Sequence, residues 1–341
     1  MTKSHVVAAW AALYGTLALV WTATGRGFPF GSNDPAGGAS LLRWLPADAG
    51  APLFAVVLLG TAVAALSLPT TSPRGTARVA LLAAGWSVVA LLLLVVPDMR
   101  LLARAGYAPM LIVGAPFGWP PVDYADVFTW QVVNMAISVA GGLLLARALL
   151  AWQFRTAGAC VSCGRGDGPE GGWASARSAA RWGRWAAYTA AAIPVVYALT
   201  RFAWLAAVLL GVMELDPTVF DDDSVVWAGA GLGAFGCVGA VLTLGLVQRW
   251  GEVFPRWMVG LAGRRVPVKL ATVPATVVAV FVTSASLGMF PSGAMTKLLG
   301  GDAWLVLPML LWPLWGVALG AAALAYHLRR RGACHACGGA G

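Results

Sequence analysis

The sequence predicts an all-α fold, a polytopic membrane protein of eight transmembrane helices arranged as two parallel four-helix repeats. Three observations predict it. Hydrophobic residues make up 59% of the 341-residue chain and charged residues only 11%, whereas a soluble domain carries about a quarter charged residues. Apolar stretches of bilayer length recur eight times. The segment AWQFRTAGACVSCG at 151–164 returns as AYHLRRRGACHACG at 325–338, with seven of fourteen positions identical and a constant offset throughout.

A bilayer core of about 30 Å is crossed by about 20 helical residues. Segments 6–23, 51–68, 78–97, 128–150, 184–204, 225–248, 270–290 and 303–327 meet that length. The first follows Lys3 and has the outline of a signal peptide, but no clean small-x-small cleavage site follows it. It also matches the fifth span, Trp10-Ala11-Ala12 against Trp185-Ala186-Ala187, so it is read as a retained helix. The duplication divides the chain into 1–174 and 175–341, each closing on a Cys-x-x-Cys knuckle. An even number of spans per repeat makes the copies parallel, related by an axis along the membrane normal.

Two connections are more than loops. Residues 98–127 carry Pro109, Pro116, Pro120 and Pro121 around the apolar run Met110–Val113. That run is too short to span, so it is expected to lie in the outer interface or dip into the protein. A single helix over 184–213 would be about 45 Å long, so it is expected to tilt strongly or to break near Arg201.

Charge predicts sidedness. With the N-terminus placed in the cytoplasm, the inner segments hold 17 of the 23 Lys and Arg residues against three acidic ones, and the outer segments six against eleven. Both termini are then cytoplasmic and the protein belongs to the bacterial plasma membrane. The net charge of +9 does not indicate nucleic acid, because the basic residues have no soluble face to occupy. The stretch from Arg249-Trp250 through Arg256-Trp257 to Arg264-Arg265 interleaves arginine with tryptophan at the inner side. It is expected to anchor on the lipid bilayer, with anionic lipid as the partner of the basic cytoplasmic loops. Asp221–Asp223, with Glu214 and Asp216, form an acidic outer loop that is read as a solvated run.

Of the five cysteines, Cys237 lies among small residues of the sixth span and reads as a small buried hydrophobe. The other four, Cys160, Cys163, Cys334 and Cys337, sit on the basic side. That compartment is reducing, which disfavours a structural disulfide. Four thiolates from two Cys-x-x-Cys-Gly turns suit tetrahedral zinc (Zn), and parallel repeats can bring equivalent points together. Nearby Arg155, Arg165 and Arg329–Arg331 are expected to favour the thiolates. A shared zinc site, redox or sensory thiols, and unliganded cysteines are the readings available. His335 falls inside the second knuckle as a further candidate ligand. The glycine-closed turns at 159–164 and 333–338 resemble the knuckles of zinc ribbons, although four predicted spans intervene between them.

Weaker signals have structural readings. Gly231-Leu-Gly233-Ala-Phe-Gly236 spells a dinucleotide fingerprint but has no strand before it. Gly229, Gly233 and Gly236 are expected instead to form a close-packing helix face, as are Gly316 and Gly320. Arg26 and Arg201 occupy corresponding positions near the outer ends of spans one and five, each four or five residues after an aromatic, and are candidates for function. Gln131, Asn134, Thr283, Ser284 and Ser286 either line a polar path or bond helix to helix. No catalytic triad, paired intramembrane carboxylates or phosphate loop is present.

The stretches WAALYGTLALVWTATGRGFPFG at 10–31 and PRWMVGLAGRRVP at 255–267 resemble multi-pass membrane proteins of GC-rich Gram-positive bacteria. That resemblance implies an inner-membrane protein and carries over no activity and no catalytic residue. Three functional classes are compatible with the sequence. They are a small-solute transporter, a non-catalytic scaffold or zinc/redox sensor, and an envelope- or lipid-modifying enzyme built around Arg26, Arg201, Asp98 and Asp123.

Overall fold

The computed structural model describes residues 2–118, 122–165, 172–212, 224–256, 258–290, 307–332 and 334–338. Among them there is no strand, only one isolated bridge between Val253 and Arg265. Eight helices are long and apolar enough to cross a membrane. They are α1 (Thr2–Thr24), α2 (Ala47–Ser67), α3 (Gly75–Ala90, extended by a π-helical turn at Leu91–Val95), α6 (Trp130–Thr156), α7 (Ala176–Leu209), α8 (Ser224–Leu244), α9 (Val268–Met289) and α10 (Trp312–Arg330). Two further helices, α4 (Met99–Gly114) and the short α5 (Tyr124–Val127), follow α3. Large apolar side chains such as Leu13, Val56, Val63 and Val241 point outward, the pattern of helices solvated by lipid.

The chain forms two compact units: Met1–Gly168 with Leu287–Ser292 and Ala333–Ala340, and Pro169–Ser286 with Gly293–Gly332 and Gly341. In the first unit, α1 and α2 pack through small residues. Ala11 and Ala18 on α1 and Ala51, Ala55 and Ala62 on α2 are all buried, and a Cβ on Gly15 would lie 2.9 Å from Leu59. Such faces let backbones approach closely where lipid supplies no hydrophobic driving force. Trp10 of α1 fills the space beside Gly141 of α6, where an added Cβ would lie 1.9 Å from the indole ring. Gly142, next along, packs against Leu92 and Leu93 in the π-helical turn of α3.

Several polar groups inside this unit are paired across helices. The Tyr14 hydroxyl donates to Asn134 Oδ1 at 3.0 Å, and the Asn134 amide donates to the Trp130 carbonyl at 2.8 Å. Ser138 donates to the Asn134 carbonyl at 2.9 Å. Asn134 and Ser138 are completely buried, so the Tyr14 bond fastens α1 to α6, which is the helix-bonding role. Where α3 gives way to α4, Asp98 caps α4 by accepting from the Arg100 N–H at 2.9 Å. Arg100 then bridges two buried carboxylates, reaching Asp34 at 3.0 and 2.5 Å and Asp98 at 2.6 Å. Burial alone would lower the guanidinium pKa, but its bonds to Asp98 and Asp34 outweigh that and raise it.

In the second unit, Gly229, Gly233 and Gly236 of α8 face α7. A Cβ on Gly233 would lie 3.2 Å from Ala198 Cα, and one on Gly236 would lie 3.7 Å from Pro194. Gly316 of α10 lies against Thr283 of α9. Ala187, Ala190, Leu319, Ala322 and Tyr326 form the core between α7 and α10.

Two expectations change in detail, and two stretches cannot be compared. The helix expected from 184 starts at Ala176 and continues unbroken past Arg201 to Leu209, about 50 Å at roughly 1.5 Å per residue. Arg177, Arg181 and Arg184 lower its hydropathy without stopping the helix, so it is longer than a bilayer core of about 30 Å. The run Met110–Val113 belongs to the end of α4, with Leu111 buried and Ile112 and Val113 exposed. The acidic loop 214–223 and Trp257 lie outside the described residues.

Candidate metal centre

The helix α6 ends where Gly158 adopts a left-handed conformation (φ 72°) and the Ala159 N–H returns to the Phe154 carbonyl at 2.9 Å. This Schellman-type stop turns the chain out of the helix just before Cys160. The turn that follows is closed by the Gly164 N–H donating to the Cys160 carbonyl at 2.7 Å, with Gly164 at φ 70°. Glycine is required there twice over. The positive φ disfavours any side chain, and an added Cβ would lie 2.8 Å from the Phe154 ring. After α10 the same turn recurs: the Gly338 N–H donates to the Cys334 carbonyl at 2.8 Å, with Gly338 at φ 66°.

The two turns meet within the first unit. Cys160 Sγ is 3.9 Å from Cys334 Sγ, Cys163 Sγ is 3.6 Å from Cys337 Sγ, and all four sulfurs lie within 4.8 Å of one another. Four sulfurs about 2.3 Å from a tetrahedral ion would be about 3.8 Å apart, so the observed spacing fits such an ion. Cys337 is exposed and the other three are partly exposed. His335, also exposed, is not one of the clustered groups.

The electrostatics favour thiolate. The backbone N–H groups of Cys163 and Ser162 bond to the Cys160 sulfur and lower its pKa. Those of Ala336 and Cys337 do the same for Cys334, bringing it to about 6. Donors aimed at sulfur stabilise the charged form. The depression comes mainly from these amides and not from the arginines named above. Arg155 is occupied by the carbonyls of Leu68, Pro69 and Thr71, just past the end of α2. Arg329 bonds to the Leu246 carbonyl at 2.8 Å and to Glu252 at 3.0 Å, and Arg330 bonds to the Val266 carbonyl at 3.1 Å.

The other candidate residues have separate roles. Arg26 is exposed. Arg201 is buried, with its guanidinium 4.9 Å from the Tyr197 ring and 5.7 Å from that of Trp204, an arrangement that stabilises a cation away from water. Asp98 is held by Arg100, and Asp123 caps α5 by accepting from the Ala125 N–H at 2.8 Å. Sequence reasoning missed the Asp34–Arg100 pair. The two residues lie on distant stretches of chain, and no short motif connects them.

Among the described residues, fold and site together define an all-α protein with eight bilayer-length helices and a four-sulfur centre outside them. No protein-family profile matches this chain, and no curated protein or solved structure shows significant similarity to it.

Proposed function

We propose that this chain is an integral protein of the bacterial inner membrane, with both termini cytoplasmic, whose four cysteines hold one structural zinc ion. The ion fastens the segment after α10 to the segment after α6, and the protein acts as a non-catalytic scaffold whose tail docking depends on zinc. The observation that carries this reading is the convergence of four sulfurs to within 4.8 Å from two turns of the same design. Zinc supplies a closed, redox-inert tetrahedral cross-link at such a site. A path-lining role for Asn134 fits less well, since its side chain bonds to Tyr14 and to the Trp130 carbonyl.

The duplication belongs to the same proposal, and several paired contacts support it. Arg155 and Arg329, which match in the repeated segment, each bond to carbonyls that follow the second helix of their unit. Trp152 and Tyr326, also matched there, reach the carbonyls of Thr71 and Gly251 in the corresponding connections. Gly142 and Gly316 each seat the fourth helix against the third.

The test is elemental analysis of the purified full chain. About one zinc per chain is expected by the four-ligand rule, and Cys160→Ser and Cys334→Ser should each remove it. Metal-free wild-type protein, or a single variant that keeps a full equivalent, would overturn the reading.

A further inference from the structure

We propose that the second unit carries a binding site for one anionic phospholipid, with an acyl chain in the groove between α8 and α9 and the headgroup phosphate on the Glu252–Val266 hairpin. The groove has a volume of about 520 Å³, lies between α8, α9 and α10, and is lined also by the hairpin residues Phe254, Pro255 and Met258. That volume falls within the roughly 300–1,000 Å³ of small-molecule sites. Its walls are almost wholly carbon, including Leu242, Leu270 and Val278, so in a bilayer its natural occupant is a hydrocarbon chain.

The hairpin is held by backbone bonds. The Phe254 N–H donates to the Arg264 carbonyl at 3.0 Å, and the Val266 N–H donates to the Glu252 carbonyl at 2.9 Å. Four basic residues each adjoin a residue of the groove wall: Arg249 beside Trp250, Arg256 beside Pro255, Arg265 beside Val266 and Lys269 beside Leu270. With Arg264 they are all exposed, and none has an ionic partner among the described residues. The hairpin's carboxylate, Glu252, is taken by Arg329 at 3.0 Å. Five exposed basic residues thus stand in the segments that supply part of an apolar slot's wall, without an ionic partner among the described residues, and that charge complements a phospholipid with an acidic headgroup.

The first unit has a groove at the matching place, between α2 and α3. It is smaller, about 300 Å³, and no hairpin residues line it. Leu81, Ala84 and Val88 line it with the same spacing as Ala271, Pro274 and Val278 line the other. The buried Thr61 and Thr243 stand in both, each bonded to the carbonyl one turn back. The matched pair assigns the slot to the fold and the acidic-lipid preference to the hairpin.

This site rests on reading the chain as a membrane protein and is independent of the zinc. The experiment is native mass spectrometry of the delipidated full chain in mild detergent. It is given phosphatidylglycerol and phosphatidylcholine with the same acyl chains. The wild type should retain one phosphatidylglycerol in clear preference to phosphatidylcholine. An arginine near an anionic surface is worth about fivefold, so Arg264→Gln with Arg265→Gln should cut that preference by roughly thirtyfold. Gly239→Phe projects into the groove, where an added Cβ meets nothing within 4 Å, and should lower retention of both lipids. Equal retention of the two lipids by the wild type overturns the site, as does a hairpin variant that keeps the preference. If Gly239→Phe does not fold, the exposed arginine pair decides. A chain that fails to enter lipid vesicles at all refutes the membrane reading instead.

Discussion

The Sγ atoms of Cys163 and Cys337 stand 3.6 Å apart, though the helices α7 to α10 lie between them in the chain. Cys160 and Cys334 repeat the relationship at 3.9 Å. Corresponding members of the two knuckles therefore face each other, and each pair stands where two corners of one tetrahedron would fall.

This pairing predicts the products of oxidation. After chelation, a mild thiol oxidant should join the two segments, giving after proteolysis a peptide that contains residues from both 157–165 and 332–338. Zinc-loaded protein should resist, because its sulfurs are committed to metal. Mass spectrometry that finds only links within each Cys-x-x-Cys would show that the knuckles do not meet in solution.

Arg100 provides a test of the first unit. Arg100→Met leaves Asp34 and Asp98 buried without their shared cation, a change that costs about 3–5 kcal/mol. The thermal transition in detergent should fall sharply. Adding Asp34→Asn and Asp98→Asn to the same chain should recover much of the loss. A transition unmoved by Arg100→Met would count against a buried triad.

How much of this is legible in the sequence depends on the range of each interaction. The eight apolar helices follow from composition over about twenty consecutive residues, so hydropathy finds them. Their ends do not. The stretch Ala176–Gly183 carries Arg177 and Arg181, yet is the start of α7, because a helix continues into the interface wherever nothing breaks it. The knuckles are readable because two cysteines and a glycine define each turn within a few residues. The tasks of Arg155, Arg329 and Arg100 are not, since each bonds to groups far along the chain that depend on how helices pack.

Packing of α8 on α7 gives a comparison within one helix. Gly233→Leu should destabilise by about 1–3 kcal/mol, the usual cost of overpacking, because its Cβ would press on Ala198. Gly231→Leu should be nearly neutral, since an added Cβ there meets nothing within 4 Å. Equal melting temperatures for the two variants would remove the small-residue face from the account.

Sidedness can be tested on intact cells. A membrane-impermeant maleimide should leave Cys160 and Cys334 unlabelled, and should label both after lysis and chelation. A cysteine placed at the exposed Trp44, in the connection between α1 and α2, should react from outside in a chain whose own cysteines are replaced. The reverse pattern would invert the orientation drawn from charge.

A centre built from residues after α6 and after α10 cannot be finished early in synthesis. At about 5–20 residues per second, roughly 10 to 35 seconds separate translation of Cys163 from that of Cys337. During that interval a nascent chain offers a metal only half a coordination sphere. A chain stalled or truncated before α10 never offers more. An ion held by all four sulfurs thus certifies that the helices from α1 to α10 have all been made.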